Sequence, residues 1–461
     1  MLRFLNRLRS PSEPHIDRLM SPFQRFAAEE ASGGILLLAC TVAALIWANS
    51  VFEHNYEGIW DTRLTIGFRN FLVDEPVHFW INDALMAVFF FVVGLEIKRS
   101  VLLGELASFR QAALPVVAAI GGMVVPAGFY LALNAGGEGA DGWAIPMSTD
   151  IAFSLGVVAL LGSRVPMSLK VFLTAFAIVD DIGAVVVIAI FFTESISWVN
   201  LAVGGGLLGA LVLMNIIGLR NPVVYGIVGV VVWVSFFKSG IHPTVAGILI
   251  AMTIPLKVRI NPEQFVARGR ALLDEFARDG DSGPRRGDLA LTTVRQSSAL
   301  EELEIAAREV ESPLQRLEHS LHPIVAFAIM PLFALSNAGV LLGSDIIGLL
   351  TTPVSLGIML GLVIGKPLGI GIFTWLAVKS GLAYLPEGVT WRHILGAAWL
   401  GGIGFTMSIF VTGLAFTDAT LITDAKLGIL VASIVAGVAG YLMLRSSTKE
   451  SDVSPAEPEA T

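Results

Sequence analysis

Three carboxylates stand inside long apolar runs: Asp150, in Ser148-Thr149-Asp150-Ile151-Ala152-Phe153, and the adjacent pair Asp180-Asp181. One base does the same further on, Lys366 in Gly365-Lys366-Pro367-Leu368-Gly369. The run 166–193 around the aspartate pair is about one membrane span long at a helical rise of about 1.5 Å per residue. A carboxylate at mid-bilayer costs about 2.5–3.5 kcal/mol on insertion scales, so its usual reason for being there is ion handling. The bland alternative is a satisfied ion pair that only fixes helix packing. Three acids against one base argue against it, because the cluster stays unneutralised unless acids hold protons or a cation. Consecutive residues project about 100° apart on a helix, so one of Asp180 and Asp181 can face Lys366 while the other faces a cavity. Protons and a cation then compete for the same oxygens, which is exchange by competition.

The elements that must hold these groups are themselves interrupted. The fourth apolar segment contains Ile145-Pro146-Met147-Ser148-Thr149-Asp150, and the eleventh contains Gly401-Gly402-Ile403-Gly404-Phe405-Thr406-Met407-Ser408. Mid-span Gly and Pro free backbone groups that must be buried in protein or line water. Broken helix ends carry partial charges, and Asp150 suits the positive ones. Thr149 and freed carbonyls suit a hard cation. Taken alone, the glycines of the eleventh segment read equally well as a tight packing face; paired with the fourth, they favour ion handling. Glu96, in Gly94-Leu95-Glu96-Ile97-Lys98, and Asp83 lie nearer span ends. His242 opens a span, and Glu318, His319 and His322 gather at the head of the ninth. Such histidines either titrate near neutral pH as sensors or are ordinary interfacial residues. Their spacing does not make a metal site.

The chain has 461 residues, 54% hydrophobic and 15% charged, where a soluble domain averages about 25% charged. This implies a polytopic membrane protein, with lipid as its surroundings and no nucleic-acid partner. The apolar stretches are long enough for helices and lack the alternation of a membrane barrel. A single cysteine, Cys40, excludes an intrachain disulfide. The amino terminus is basic rather than a signal peptide. The expected fold is all-α with twelve spans, roughly 33–52, 78–98, 112–134, 142–161, 167–193, 199–218, 223–238, 242–256, 321–341, 354–378, 394–416 and 425–445. With both termini on the cytoplasmic side, 25 of the 30 Lys and Arg fall on that side, four fall outside, and Lys366 lies within a span.

The organisation is then a basic segment 1–32, spans one to eight over 33–256, a charged insert 257–320, spans nine to twelve over 321–446, and an acidic tail 447–461. The outer loop 53–77 alternates enough through Arg63-Leu64-Thr65-Ile66-Gly67-Phe68-Arg69 for a hairpin, and a polar loop is the competing reading. The insert carries ten basic and twelve acidic residues. Asn261-Pro262 predicts a helix start, while Ser298-x-x-Glu301 and Ser312-x-x-Gln315 match capping boxes. Leu303, Ala307, Val310, Leu314, Leu317 and Leu321 keep the spacing of one helical face. A partly helical insert and a solvated linker both fit.

At these residues the chain resembles the NhaA family of sodium/proton antiporters. The matching runs include Asn82-Asp83-Ala84-Leu85-Met86-Ala87, Phe90-Phe91-Val92-Val93-Gly94-Leu95-Glu96-Ile97-Lys98-Arg99, Gly142 to Phe153, Ala177-Ile178-Val179-Asp180-Asp181-Ile182-Gly183-Ala184, Lys238-Ser239-Gly240-Ile241-His242, Leu317-Glu318-His319-Ser320-Leu321-His322-Pro323, Pro331 to Gly339, Gly365 to Gly369 and Gly402 to Ser408. They run in order through nearly the whole chain. The resemblance implies twelve helices, an inverted repeat, and two interrupted helices, the fourth and eleventh, that cross. It implies that Asp181 is the main sodium and proton carrier, with Asp180 as companion pairing with Lys366. Asp150 and Thr149 would support the crossed ends. Glu96, His242, Glu318, His319 and His322 match positions implicated in pH response. The implied activity is electrogenic exchange of external protons for internal sodium or lithium, in a bacterial inner membrane, without a cofactor. The implied assembly is a homodimer through the outer loop.

Two departures stand out. The insert 257–320 is far longer than the usual connection, and Ser100 follows Lys98-Arg99 where a glutamate is common. A sodium-coupled solute symporter is the second reading, though no recognition residues for a solute are visible. An intramembrane aspartyl protease is the third, and it needs aspartates on separate helices with a Gly-x-Gly-Asp element that this chain lacks.

Overall fold

The computed structural model describes residues 22–68, 71–193, 195–258, 260–279, 294–341 and 346–447. The segment 1–21, the middle of the insert and the tail from 448 lie outside the described residues. The described chain is mainly helical. Eight helices are long and apolar enough to cross a membrane, or ten if each of two bent pairs counts as one span. The chain divides into two compact units.

The first unit comprises 1–82, 105–188 and 326–461. Its opening helix bends by 117° after Ala48 into the short helix Glu53–Trp60. Strands Arg63–Phe68 and Phe71–Pro76 then pair antiparallel, with Thr65 opposite Asp74. Asp74 accepts from the Thr65 hydroxyl at 2.6 Å and from Arg63 at 3.2 Å, and these contacts hold its carboxyl below the usual range. The long helix Phe109–Asn134 starts at a Ser108 cap, whose side chain accepts from the Gln111 N–H.

Helix Phe109–Asn134 packs on Lys366–Lys379 through Gly121 and Gly369. A Cβ on either glycine would run into the backbone carbonyl of the other, so the two helix backbones are in direct approach. Before Lys366 the chain passes through Pro353–Leu360 and a π-helical stretch, Gly361–Gly365. Such wide turns shift the register of the helix beyond them and often mark functional sites.

Two breaks give this unit its character. A 3₁₀ stretch, Ala140–Met147, containing Pro146, is separated from helix Ile151–Leu161 by Ser148, Thr149 and Asp150. Helix Trp391–Gly401 stops at Gly402 and resumes at Phe405–Ala415 with a bend of 43°. The full run Met167–Phe191 between them is continuous helix and carries Asp180 and Asp181.

The second unit comprises 83–104 and 189–325. Helix Met86–Leu102 packs on the short apolar helix Pro243–Thr253, with Leu95, Ala246, Ile250 and Ala251 in the core beside Leu211, Val232 and Phe236. Lys98 donates to the Met252 and Ile254 carbonyls at 2.6 Å each, placing a cation at the C-terminal end of that short helix. The insert is a helical hairpin. Pro262–Asp279 and Val294–Val310 run antiparallel and bury Leu272, Ala299 and Ala306, with Arg268 paired to Glu302 at 3.7 Å and to Glu309 at 3.4 Å. Its ends meet, because the Ile260 N–H donates to the Glu309 carbonyl at 3.3 Å.

Asn261 caps the first insert helix by accepting from the Gln264 N–H at 2.8 Å. Ser312 and Gln315 form a capping box on Pro313–Ile324. The Ser298 expectation fails. Ser298 lies inside helix Val294–Val310, and its hydroxyl returns to the Val294 carbonyl at 3.0 Å, so the apolar run after it continues a helix instead of starting one. The single apolar face from Leu303 to Leu321 fails as well. The chain breaks at Glu311-Ser312, and Ala306 is buried where Ala307 is exposed.

Candidate functional site

Asp180, Asp181, Asp150, Thr149 and Lys366 all belong to the first unit, and none is more than 1% exposed. The π-helical stretch delivers Lys366 at the start of its helix, facing Asp180. Its ammonium donates to the two Asp180 oxygens at 2.9 and 3.2 Å and to the Met147 carbonyl, freed by the first break. Thr149 contacts the same Asp180 carboxylate through its backbone and side chain. Asp181, one residue on, also acts electrostatically on Lys366. One ammonium therefore stands against two adjacent carboxylates.

The two breaks are tied to each other. The Asp150 N–H donates to the Ile403 carbonyl at 2.7 Å, and the Thr149 hydroxyl donates to the Gly401 carbonyl at 2.9 Å. In return, Asp150 accepts from the Thr406 N–H at 3.2 Å and from the Thr406 hydroxyl at 2.5 Å. Its other oxygen caps its own helix by accepting from the Phe153 N–H at 3.0 Å. Asp150 thus sits at two helix N-termini at once, where a negative charge is favoured. Ser408 donates to the Ile145 carbonyl at 2.9 Å, Ser154 donates to the Leu400 carbonyl at 2.8 Å, and Ser433 accepts from the Phe405 N–H at 3.1 Å. Irregular backbone here is satisfied by protein, as it must be at membrane depth.

This arrangement can bind a hard cation. Carboxylate, hydroxyl and carbonyl oxygens are the donors such ions prefer. Among the described residues no group of three His, Cys, Asp or Glu forms a metal cluster. The remaining sequence candidates lie in the second unit. Arg99 pairs with Glu318 at 3.2 Å, and His319 and His322 are close enough to act on that carboxylate. Glu96 is one turn before Arg99 on the same helix and is half-buried. His242 stands apart from that group, with Nε2 3.3 Å from Asp83 and Nδ1 2.7 Å from the Thr244 hydroxyl.

Ser154 and Ser433 escaped the sequence reading. A serine within an apolar helix gives no sign of which backbone group it will meet. Thr406 and Ser408 lay in the quoted glycine-rich run, and only the fold shows their partners.

Comparison with known proteins points to the same chemistry. A family model described as Na+/H+ antiporter 1 matches residues 24–444. A protein of Oleidesulfovibrio alaskensis named Na(+)/H(+) antiporter NhaA is 51% identical over 432 residues, covering 93% of this chain and 95% of its own. One of Koribacter versatilis, with the same name, is 51% identical over 450 residues, or 97% of each chain. One of Acidithiobacillus ferrooxidans is 47% identical over 440 residues, covering 94% of this chain and 100% of its own.

Proposed function

The chain belongs to the Na+/H+ antiporter 1 family, and from that premise we propose that it exchanges external protons for internal sodium or lithium across a bacterial inner membrane. The observation that carries this reading is the buried triad of Lys366, Asp180 and Asp181 beside two hydrogen-bonded helix breaks. Asp181 is the carrier, Asp180 is its companion held by Lys366, and Thr149 lends its hydroxyl oxygen. Asp150 balances the broken helix ends.

Exchange arises from competition. A sodium ion and protons need the same carboxylate oxygens, so loading one expels the other, and alternating exposure of the site to the two sides converts this into antiport. Two protons entering per sodium leaving move net charge, so membrane potential drives the cycle. The two bent pairs count as single spans. Met86–Leu102 and Pro243–Thr253 join the ten to give twelve spans, with the fourth and eleventh crossing and both termini cytoplasmic. Glu96, Glu318, His319 and His322, with His242 separately, supply the pH response.

Everted membrane vesicles test this. With an imposed proton gradient reported by a quenched dye, added sodium should restore fluorescence at one or more pH values between 6.5 and 9. Asp181→Asn should abolish the response while the protein still accumulates in the membrane. A full sodium response in that variant refutes the assignment, and silence of the unsubstituted protein across the whole pH series refutes the exchange itself.

A further inference from the structure

Hydroxyls within the helices of this chain usually bond backward along their own helix. Thr41 donates to Leu37, Ser235 to Val231 and Thr412 to Ser408, each four residues back. Ser154 departs from this habit. It lies in helix Ile151–Leu161, is 1% exposed, and donates instead to the Leu400 carbonyl, 246 residues away, at 2.8 Å. The next carbonyl along, Gly401, takes the Thr149 hydroxyl at 2.9 Å.

The consequence for Thr149 is chemical. A hydroxyl has one proton and two lone pairs. The Thr149 proton has two acceptors in reach, the Gly401 carbonyl at 2.9 Å and the Asp180 carboxylate; given to Gly401, it leaves the hydroxyl lone pairs for a cation beside Asp180. The carbonyl that commits the proton must itself be held in place. Leu400, bonded directly to Gly401, is fixed by the Ser154 hydroxyl and by the Ile403 N–H at 3.0 Å.

We propose that Ser154 is a positioning residue for the transported cation, acting through Leu400 and Gly401 to keep the Thr149 hydroxyl oriented as a cation acceptor. This rests on the exchange reading above. It assigns a role in the transport site to a side chain that touches neither cation nor carboxylate.

The test is the sodium dependence of exchange in vesicles containing the full chain, with Ser154→Ala and Ser154→Thr compared with the unsubstituted protein. The alanine variant should raise the apparent KM for sodium by about two- to tenfold, the range a single neutral hydrogen bond carries. Its maximal rate and melting temperature should hold. The threonine variant, which restores the hydroxyl, should return KM toward the starting value. An unchanged KM in the alanine variant overturns the inference. So does a threonine variant as impaired as alanine, since packing would then be the cause. A fall of rate and melting temperature together with KM also overturns it, because Ser154 would then be a structural support. If the unsubstituted protein gives no sodium response, the exchange reading falls and takes this inference with it; a normal response there with unchanged KM in Ser154→Ala removes Ser154 alone.

Discussion

Lys366 and Asp180 are both fully buried and 2.9 Å apart, so neither can lose its partner cheaply. Removing one member of a buried pair strands the other and costs about 3–5 kcal/mol, whereas replacing both with apolar residues of similar size is often neutral. Lys366→Met should therefore lower the melting temperature in detergent well below that of the parent, and adding Asp180→Leu should recover much of the loss. A double variant no more stable than the single one would show that the Met147 carbonyl, and not Asp180, is the contact that matters. At this scale the sequence was largely legible. Acids and a base inside apolar runs have few physical excuses, so Asp150, Asp180, Asp181 and Lys366 could be singled out from burial cost alone. Ser154 and Ser433 could not, because a hydroxyl costs little to bury and satisfies itself locally in most helices.

Helix ends are the next level, and there the sequence was legible only in part. Pro and Gly announced both breaks, since each frees backbone groups that need other partners. That the freed groups bond to one another, Asp150 to Ile403 and Thr149 to Gly401, depends on how segments about 250 residues apart pack, which no local pattern encodes. Capping signals worked where a turn really preceded them, at Asn261 and Ser312, and misled at Ser298, where the motif lay within a helix. One cap carries a pH prediction. Asp418 stands before the last helix, Ala419–Ser447, and accepts the Leu421 N–H at 3.1 Å and the Thr420 N–H at 2.8 Å, which hold its carboxyl below the usual range. A lowered folded value stabilises above the ordinary carboxylate value of about 3.9 and is lost as pH falls through the folded value. Asp418→Ala should melt earlier than the parent at pH 7, and the gap should narrow as pH falls below about 3.9. A gap that does not narrow there would mean the charge is not its source.

At the scale of the molecule, two segments fold back on themselves. The insert hairpin is pinched at its base by the Ile260–Glu309 backbone bond, so its two ends are already neighbours. Replacing 261–308 with a short flexible linker should leave sodium-dependent dequenching in vesicles intact. Its disappearance from a variant that still accumulates would place the insert inside the cycle. The hairpin Arg63–Pro76 pairs only with itself in sheet terms among the described residues, and a two-stranded sheet can take a further strand at its edge. Should size-exclusion light scattering give a dimer, deleting the hairpin should return a monomer, and a dimer that survives deletion would place its interface elsewhere.

The ties between the two breaks also have a meaning in time. They join residues 246 to 263 positions apart. At about 5–20 residues per second, the ribosome needs roughly 12–50 s to travel that interval. For most of that interval the aspartates are already made while Gly401, Thr406 and Ser408 do not yet exist. A message cut short between the aspartates and those residues leaves the acids without the partners that tie the two breaks together.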